Sequence, residues 1–250
     1  YYDGMPLGTP NDQGSGIRLG QSVGGKTDHM DRVTAWRFLN PPLAFAQGIV
    51  VNKNGQRFCN EMVYGATLGD AMCEHNDGKA YLILGKSLLD DAKKQSKEAL
   101  PFQRDMARML MYFNSKKKGN LIDLAKVYNL PADKLTEEVE KYNQAARSQL
   151  SCEFGKAASD VKELNGPFHI MDISIDSKLA PLTTLTLGGL VVNEETGEVL
   201  NLDNKEIKGL YAAGRTAVGI CSNIYVSGLS IADCIFSGRR IGQNLGKEDK

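Results

Sequence analysis

Between Thr186 and Arg215 the chain makes three short apolar runs in close succession, "TLGGLVVN", "GEVLN" and "GLYAAGR", bounded by Gly, Asn and Asp. Runs this short read as strands of a sheet. Behind them comes "ICSNIYVSGLSIADCIFSGRR", residues 220–240, where a small-residue turn with a tyrosine and a serine two positions apart runs into a helix. The spacing predicts that helix from about Ser230 to Leu245, with Ile231, Cys234, Ile235, Ile241 and Leu245 available to face the sheet. A helix start leaves its first N–H groups without partners inside the helix, so the turn serves equally as a ligand-facing edge or as a plain corner.

The remainder has a different character. "GIVVNKNGQRFCNE" places two β-rich runs around an Asn-Gly turn and predicts a hairpin, and "KAYLILG" predicts a further strand. From Ser87 to Gln95 a polar, helix-rich middle begins. In "LIDLAKVYNLPADKLTEEVEKYNQAARSQL", Leu121, Leu124, Ala125 and Tyr128 make one helical face, and Leu135, Val139, Tyr142 and Ala146 another. Pro131 suits the entry to the second helix and Asp133 its cap. Nearer the N-terminus, Ile17, Leu19, Val23, Met30 and Val33 fit one helix over 14–36, broken near Gly24-Gly25, with Asp12 and Ser15 as possible caps. "GSGIRLG" there is not a dinucleotide fingerprint, because its glycines fall at 14, 16 and 20 and no strand is read before them. A sheet-containing body at both ends is thus interrupted by a mixed α+β insertion over about residues 39–183.

Composition narrows the partners. The 250 residues carry 30 Lys plus Arg against 30 Asp plus Glu, so no overall field draws nucleic acid or an anionic membrane. "SKKKGN" at 115–120 reads as a solvated loop. Cys59, Cys73, Cys152, Cys221 and Cys234 are scattered with no C-x-x-C pair, which supports neither a disulfide framework nor zinc, and His29, His75 and His169 stand alone as structural or surface residues. No apolar stretch reaches the roughly 20 residues of a membrane-spanning helix, and a cytoplasmic protein is expected. The opening "YYDGMPLGTPNDQGSG" has neither an initiator methionine nor a signal peptide, so the chain is expected to begin inside a longer protein.

Together, "TLGGLVVNEETGEVLN", "IKGLYAAGR" and the turn opening the last helix resemble the C-terminal part of flavoproteins related to fumarate reductase and the ketosteroid dehydrogenases. "GIVVNKNGQRFCNE" resembles that family's cap-domain hairpin, and "LAKVYNLPADKLTEEVEKYNQ", followed by "EFGK" and "GPFH", its helix pair. The resemblance implies an α/β plus α+β fold: an incomplete flavin-binding, glutathione-reductase-like domain at 1–38 and 184–250, with an inserted α+β cap or substrate domain at 39–183. It implies FAD as cofactor, and as partner the missing N-terminal half with its nucleotide-binding βαβ unit. This piece alone is expected to bind FAD weakly or not at all and to be inactive.

The resemblance also implies roles. Gly188 and Gly189 let backbone lie against the flavin, although a strand bend also accounts for a glycine pair. Gly214 and Arg215 match a cofactor-contacting segment that usually continues with glutamate, where this chain has arginine. Leu229, Ser230 and Ile231 offer backbone groups at a helix start whose positive end favours a reduced, anionic flavin, and an ordinary packed helix start is the plain alternative.

The turn separates two branches of the family. A dicarboxylate needs fixed cations, and this turn offers Asn223, Tyr225, Ser227 and Gly228 with no cation at all. "YVSG" is similar to the turn of FAD-dependent 3-ketosteroid Δ4-(5α)-dehydrogenases. A phenol, with an unperturbed pKa of about 10, serves there as donor to a ketone or, if lowered, as base. Tyr225 is the expected proton-transfer group, with Ser227 bonding it or relaying the proton. Tyr64 is a possible second phenol and Tyr81 its competitor, with burial in the cap core as the plain alternative for either. The expected function is dehydrogenation of a CH–CH group beside a ketone, on a small molecule of 3-ketosteroid type. Reduction of an activated alkene on the same scaffold, and a non-catalytic fragment or binding module, are the alternatives.

Overall fold

The computed structural model describes residues 5–6, 8–9, 11–115, 118–180 and 182–248. The chain begins with β1 (Met5–Pro6), α1 (Ser15–Ser22), β2 (Thr27–Asp28), β3 (Val33–Trp36), α2 (Leu43–Ala46), β4 (Ile49–Val51) and α3 (Gly65–His75). It continues through β5 (Tyr81–Leu84), α4 (Lys86–Gln95), α5 (Pro101–Met109), β6 (Lys118–Gly119), α6 (Leu121–Val127) and α7 (Ala132–Arg147). It ends with β7 (Phe168–Asp172), β8 (Thr183–Thr186), β9 (Gly189–Leu190), β10 (Glu198–Leu200), β11 (Glu206–Tyr211) and α8 (Leu229–Glu248). The chain divides into two compact units, one of Tyr1–Met5 with Ala35–Thr183, the other of Pro6–Thr34 with Thr184–Lys250.

The first unit is built on an antiparallel sheet of order β4-β5-β7-β6, with Val50 opposite Leu82 and Ile83 opposite Ile170. Its helices cover a core that includes Phe45, Ile49, Leu68, Leu82, Leu84, Leu124, Leu135, Tyr142 and Leu164. Each such side chain contributes about 1.5–3 kcal/mol when taken out of water, which makes this cluster the main source of the unit's cohesion. The Asn-Gly turn forms as expected: Asn52 N donates to Gln56 O at 2.9 Å, and Gly55 takes φ 71. The hairpin's second arm is only a bridge between Val51 and Arg57, because Arg57 and Glu61 turn inward to make a buried ionic cluster.

Glu61 is the hub of that cluster. It accepts from Arg57 Nε at 2.9 Å and Nη2 at 2.8 Å, pairs with Lys156 Nζ at 2.9 Å, and accepts from Val50 N at 3.0 Å. Burial alone would raise its pKa, but Lys156 and Arg57 overcome that and hold it below the ordinary carboxylate value. Lys156 is held low, because burial outweighs a carboxylate that it shares with Arg57. The cluster joins four segments: Lys156 Nζ also donates to Gly48 O at 2.7 Å and Tyr142 Oη at 3.1 Å, and Tyr142 Oη donates to Gln47 O at 2.7 Å.

The second unit has a smaller core. Leu190, Val199, Ala212 and Ala217 form its buried apolar cluster, between the β2–β9 pair and the β10–β11 hairpin. The glycines of "GSGIRLG" serve packing: a Cβ on Gly20 would overlap the Leu190 side chain, and one on Gly16 would come within 2.9 Å of Thr216.

Three expectations change. The N-terminal helix stops at Ser22, after which Gly24 takes φ 91 and the β-branched Thr27, Val33 and Thr34 enter strands; α1 is preceded by Gly14 at φ 70, with no side-chain cap from Asp12 or Ser15. Pro131 holds the N-cap position of α7 and Asp133 lies in its first turn, where its charge favours the helix without capping it. On α8, Ile231, Ile235 and Leu245 are exposed, and the buried positions among its described side chains are Asp233 and Ser237. No described helix is long and apolar enough to cross a membrane, and no described cluster of His, Cys, Asp and Glu could hold a metal ion.

Candidate active site

The turn before α8 is a folded loop within the second unit. Val218 N donates to Leu190 O at 2.8 Å, Gly219 N to Ser222 Oγ at 3.0 Å, and Leu229 N to Val226 O at 3.1 Å. Between these anchors Cys221, Ser222 and Tyr225 are buried, while Asn223, Ser227 and Gly228 are exposed. Gly228 takes φ 92, and a Cβ there would meet nothing within 4 Å. Tyr225 is therefore fixed by packing, with Ser227 two positions on at the open edge.

A cation, Arg32, reaches this turn from elsewhere in the chain together with His29, which corrects the expectation of a turn without positive charge. Arg32 Nη1 donates to Asn223 Oδ1 at 2.6 Å, and His29 Nε2 lies 3.3 Å from the same oxygen. His29 takes φ 58, its N–H donates to Asp28 Oδ1 at 2.6 Å, and Arg32 N donates to His29 O at 3.0 Å, so residues 28–32 make a closed turn. The sequence signal is the charged run "TDHMDR", of whose titratable residues only His29 is singled out above, as a structural or surface residue.

The glycine pair has a local reason to be glycine. A Cβ on Gly188 would lie 2.7 Å from both His29 O and Met30 Cα, and one on Gly189 would lie 2.7 Å from Ala217 C. On the side where a Cβ would project, this chain fills the space. Gly214, at φ 57, is packed against Cys234, whose Sγ would be 2.5 Å from an added Cβ, and Gly214 N donates to Ser237 Oγ at 2.9 Å. Arg215 donates to Thr186 O through Nη2.

Helix α8 begins at Leu229; Leu229 and Ser230 are half-buried and Ile231 is exposed. Asp233, in the next turn, lies against Gly219. Burial raises its pKa, opposed by Arg215 and Arg240. In the first unit, Tyr64 precedes α3 and meets Phe38 edge-on at 5.8 Å, and Phe38 meets Trp36 at 5.4 Å. Tyr81 meets Tyr128 at 5.8 Å, and burial together with Asp172 raises its pKa. Tyr64 thus joins an aromatic group containing the exposed Phe38, while Tyr81 joins the core side of the sheet.

Residues 6–228 match the FAD binding domain family. The chain belongs to that family. Over 217 residues it is 41% identical to 3-oxo-5-alpha-steroid 4-dehydrogenase of Comamonas testosteroni, a match covering 86% of this chain and 41% of the relative. Over 243 residues it is 26% identical to probable fumarate reductase Ifc3 of Shewanella frigidimarina, covering 94% of this chain and 38% of the relative. Among solved structures, it is similar to the 3-ketosteroid-delta4-(5alpha)-dehydrogenase of Rhodococcus jostii RHA1 in complex with 4-androstene-3,17-dione, with a TM-score of 0.77 and 30% identity over 92% of this chain and 45% of that one. The chain spans less than half the length of these relatives. The mixed α/β fold with several small sheets is that of the ketosteroid dehydrogenase, and FAD is the cofactor of the FAD binding domain family. The residues present suit it: a 20-residue helix opens at an exposed glycine with clear space around it, where its unpaired N–H groups favour an electron-rich ring edge.

Proposed function

We infer that this chain is the C-terminal portion of an FAD-dependent dehydrogenase acting on a CH–CH group next to a ketone, with substrates of 3-ketosteroid type. The observation that carries the reading is the placement of Tyr225, buried in the turn that opens α8 two positions before the exposed Ser227, in a chain 41% identical to a steroid dehydrogenase. FAD, when bound, supplies the hydride acceptor. As the neighbouring carbon gives up its hydride, the Tyr225 oxygen accepts the proton from the carbon beside the ketone while its own hydroxyl proton passes to Ser227, and a C=C bond forms between the two carbons. Ser227, at the open edge, relays that proton to solvent. Ser230 and Ile231 offer the backbone donors of the helix start to the cofactor, the expected Leu229 donor being taken by Val226 O, and Gly188, Gly189, Gly214 and Arg215 shape the backbone around it. Tyr64, through the Trp36–Phe38–Tyr64 aromatic group, offers a flat apolar surface of the kind a steroid packs on.

In this reading 1–38 and 184–250 are parts of the flavin-binding domain, 39–183 is the cap, and an N-terminal nucleotide-binding half is the partner. The exposed Ile231, Ile235 and Phe236 of α8 support such a partner, since a helix of a complete domain would bury them. Arg32 favours a second reading, reduction of an alkene acid, because a carboxylate substrate needs a cation at this turn. The test is flavin bleaching in the enzyme that contains this chain, mixed anaerobically with a saturated 3-ketosteroid and, separately, oxidation of its reduced flavin by an alkene acid. Bleaching by the steroid that disappears in Tyr225→Phe, with flavin retained, supports the first reading. Full bleaching in Tyr225→Phe removes that residue from the reaction, and response to the alkene acid alone transfers support to the second.

A further inference from the structure

At Asn223 the Tyr225 turn is tied to a distant segment by side-chain hydrogen bonds. The Asn223 Oδ1 takes the Arg32 Nη1 donor at 2.6 Å, with His29 Nε2 at 3.3 Å. An amide oxygen held by two donors fixes the orientation of the whole carboxamide, so the Nε2–H form of His29 is the one that suits this geometry. Asn223 is itself exposed, and packing alone would leave it free to rotate.

The donors are mounted rigidly. Residues 28–32 are closed by the Asp28 side chain and by the Arg32 N–H to His29 O bond. Arg32 O accepts from Leu187 N at 3.1 Å, and Asp28 pairs with Gly189 in the β2–β9 ladder. Gly188 lies directly beneath, so close that an added Cβ would meet His29 O at 2.7 Å. A continuous line of contacts therefore runs from Gly188, through the 28–32 turn, to Asn223, and Tyr225 is two residues further on.

We propose that Arg32 and His29 are positioning residues: they clamp Asn223 and so hold the turn that carries Tyr225 and Ser227 at the geometry needed for proton transfer. The proposal rests on the function inferred above for Tyr225. A clamp of this kind acts on the reacting geometry more than on substrate affinity, since small misplacements of a reacting group cost rate steeply. It also accounts for a glycine at 188 from this chain's own packing.

Arg32→Ala, Asn223→Ala, the double variant, Arg32→Lys and His29→Gln are prepared in the flavin-loaded enzyme that contains this chain. The single alanine variants are expected to lose kcat about tenfold or more while KM stays within about twofold and flavin content is unchanged. The double variant is expected to be no worse than Asn223→Ala, because both changes remove one interaction. Arg32→Lys and His29→Gln, which keep a donor, are expected to recover part of the loss. Additive losses in the double variant, or losses confined to KM, overturn the clamp. Amide hydrogen exchange across residues 219–228 reads the same contact without turnover. Faster exchange in Arg32→Ala supports the clamp even where Tyr225→Phe shows that the tyrosine is not the proton carrier, and unchanged exchange overturns it even where that tyrosine is essential.

Discussion

Lys156 Nζ lies 2.9 Å from Glu61 Oε2, and neither side chain has any exposure to solvent. Arg57 binds the same carboxylate through two nitrogens, so two cations share one anion in the interior of the first unit. The partners are not equivalent. Removing Glu61 as a charge leaves two buried cations facing each other, whereas removing Lys156 leaves a one-to-one pair. Glu61→Gln is therefore expected to cost about 3–5 kcal/mol of unfolding free energy, and Lys156→Met distinctly less. Urea unfolding of the two variants checks the order; equal losses would mean that Lys156, through Gly48 and Tyr142, carries as much of the fold as the carboxylate.

The same carboxylate sets an acid limit. Its pKa is held below the ordinary value in the folded chain by Lys156 and Arg57, against the opposing effect of burial. For a carboxylate with a depressed folded pKa, the stabilisation is fully present above the unfolded value of about 4.3 and is lost as pH falls through the folded value. Stability is expected to decline below about pH 4, and that part of the decline should be absent in Glu61→Gln. A pH series of melting temperatures for both proteins makes the comparison.

Gly69, in the middle of α3, lies flat on the backbone of β3, where a Cβ would overlap the carbonyl oxygen of Ala35. Backbone cannot swing aside as the end of a side chain can. Gly69→Ala is expected to destabilise by about 1–3 kcal/mol despite alanine's better helix propensity. Gly238, with nothing within 4 Å of its added Cβ on α8, is the control: alanine there should be neutral or mildly stabilising. Melting temperatures moving the same way in both variants would contradict the packing argument.

Much of the first unit was legible in the sequence. The Asn-Gly turn at 54–55, the β5 run "YLIL" and the two helices around Pro131 carry local signals that need no tertiary partner. The residues after Gly25 were misread because apolar spacing over a short, glycine-broken stretch fits a helix until strands elsewhere claim it, here β9 pairing with β2. On α8 the apolar residues marked a face to be covered, but not by what. Arg32 and His29 could not be placed at Asn223 from the sequence, since they stand 191 and 194 residues away in the chain.

Asp233 is a buried carboxyl beside Gly219, with its pKa raised by burial against the pull of Arg215 and Arg240. A raised folded pKa means that the folded chain binds more protons than the unfolded chain, so this group lowers stability as pH rises past the unfolded carboxylate value of about 3.9. Asp233→Asn is expected to be more stable than the parent at pH 7, with the difference shrinking toward pH 4. A larger difference at acid pH would reverse the sign and show that the ionised carboxylate is held by partners in the fold.

Ile235 and Phe236 are 65% and 60% exposed on α8, next to the buried Ser237. In the chain by itself they contribute little to folding, so Ile235→Ser with Phe236→Ser is expected to leave its melting temperature nearly unchanged. Self-association with rising concentration, measured by sedimentation, should fall in the same variant, because exposed apolar surface of this kind drives association. The proposed longer enzyme should give the opposite outcome. If a nucleotide-binding half covers the helix there, each truncated side chain removes about 1.5–3 kcal/mol of burial, and the double variant should melt markedly lower. A variant equally silent in both settings would mean that this face of α8 meets solvent in the proposed enzyme as well and is not where a partner half docks.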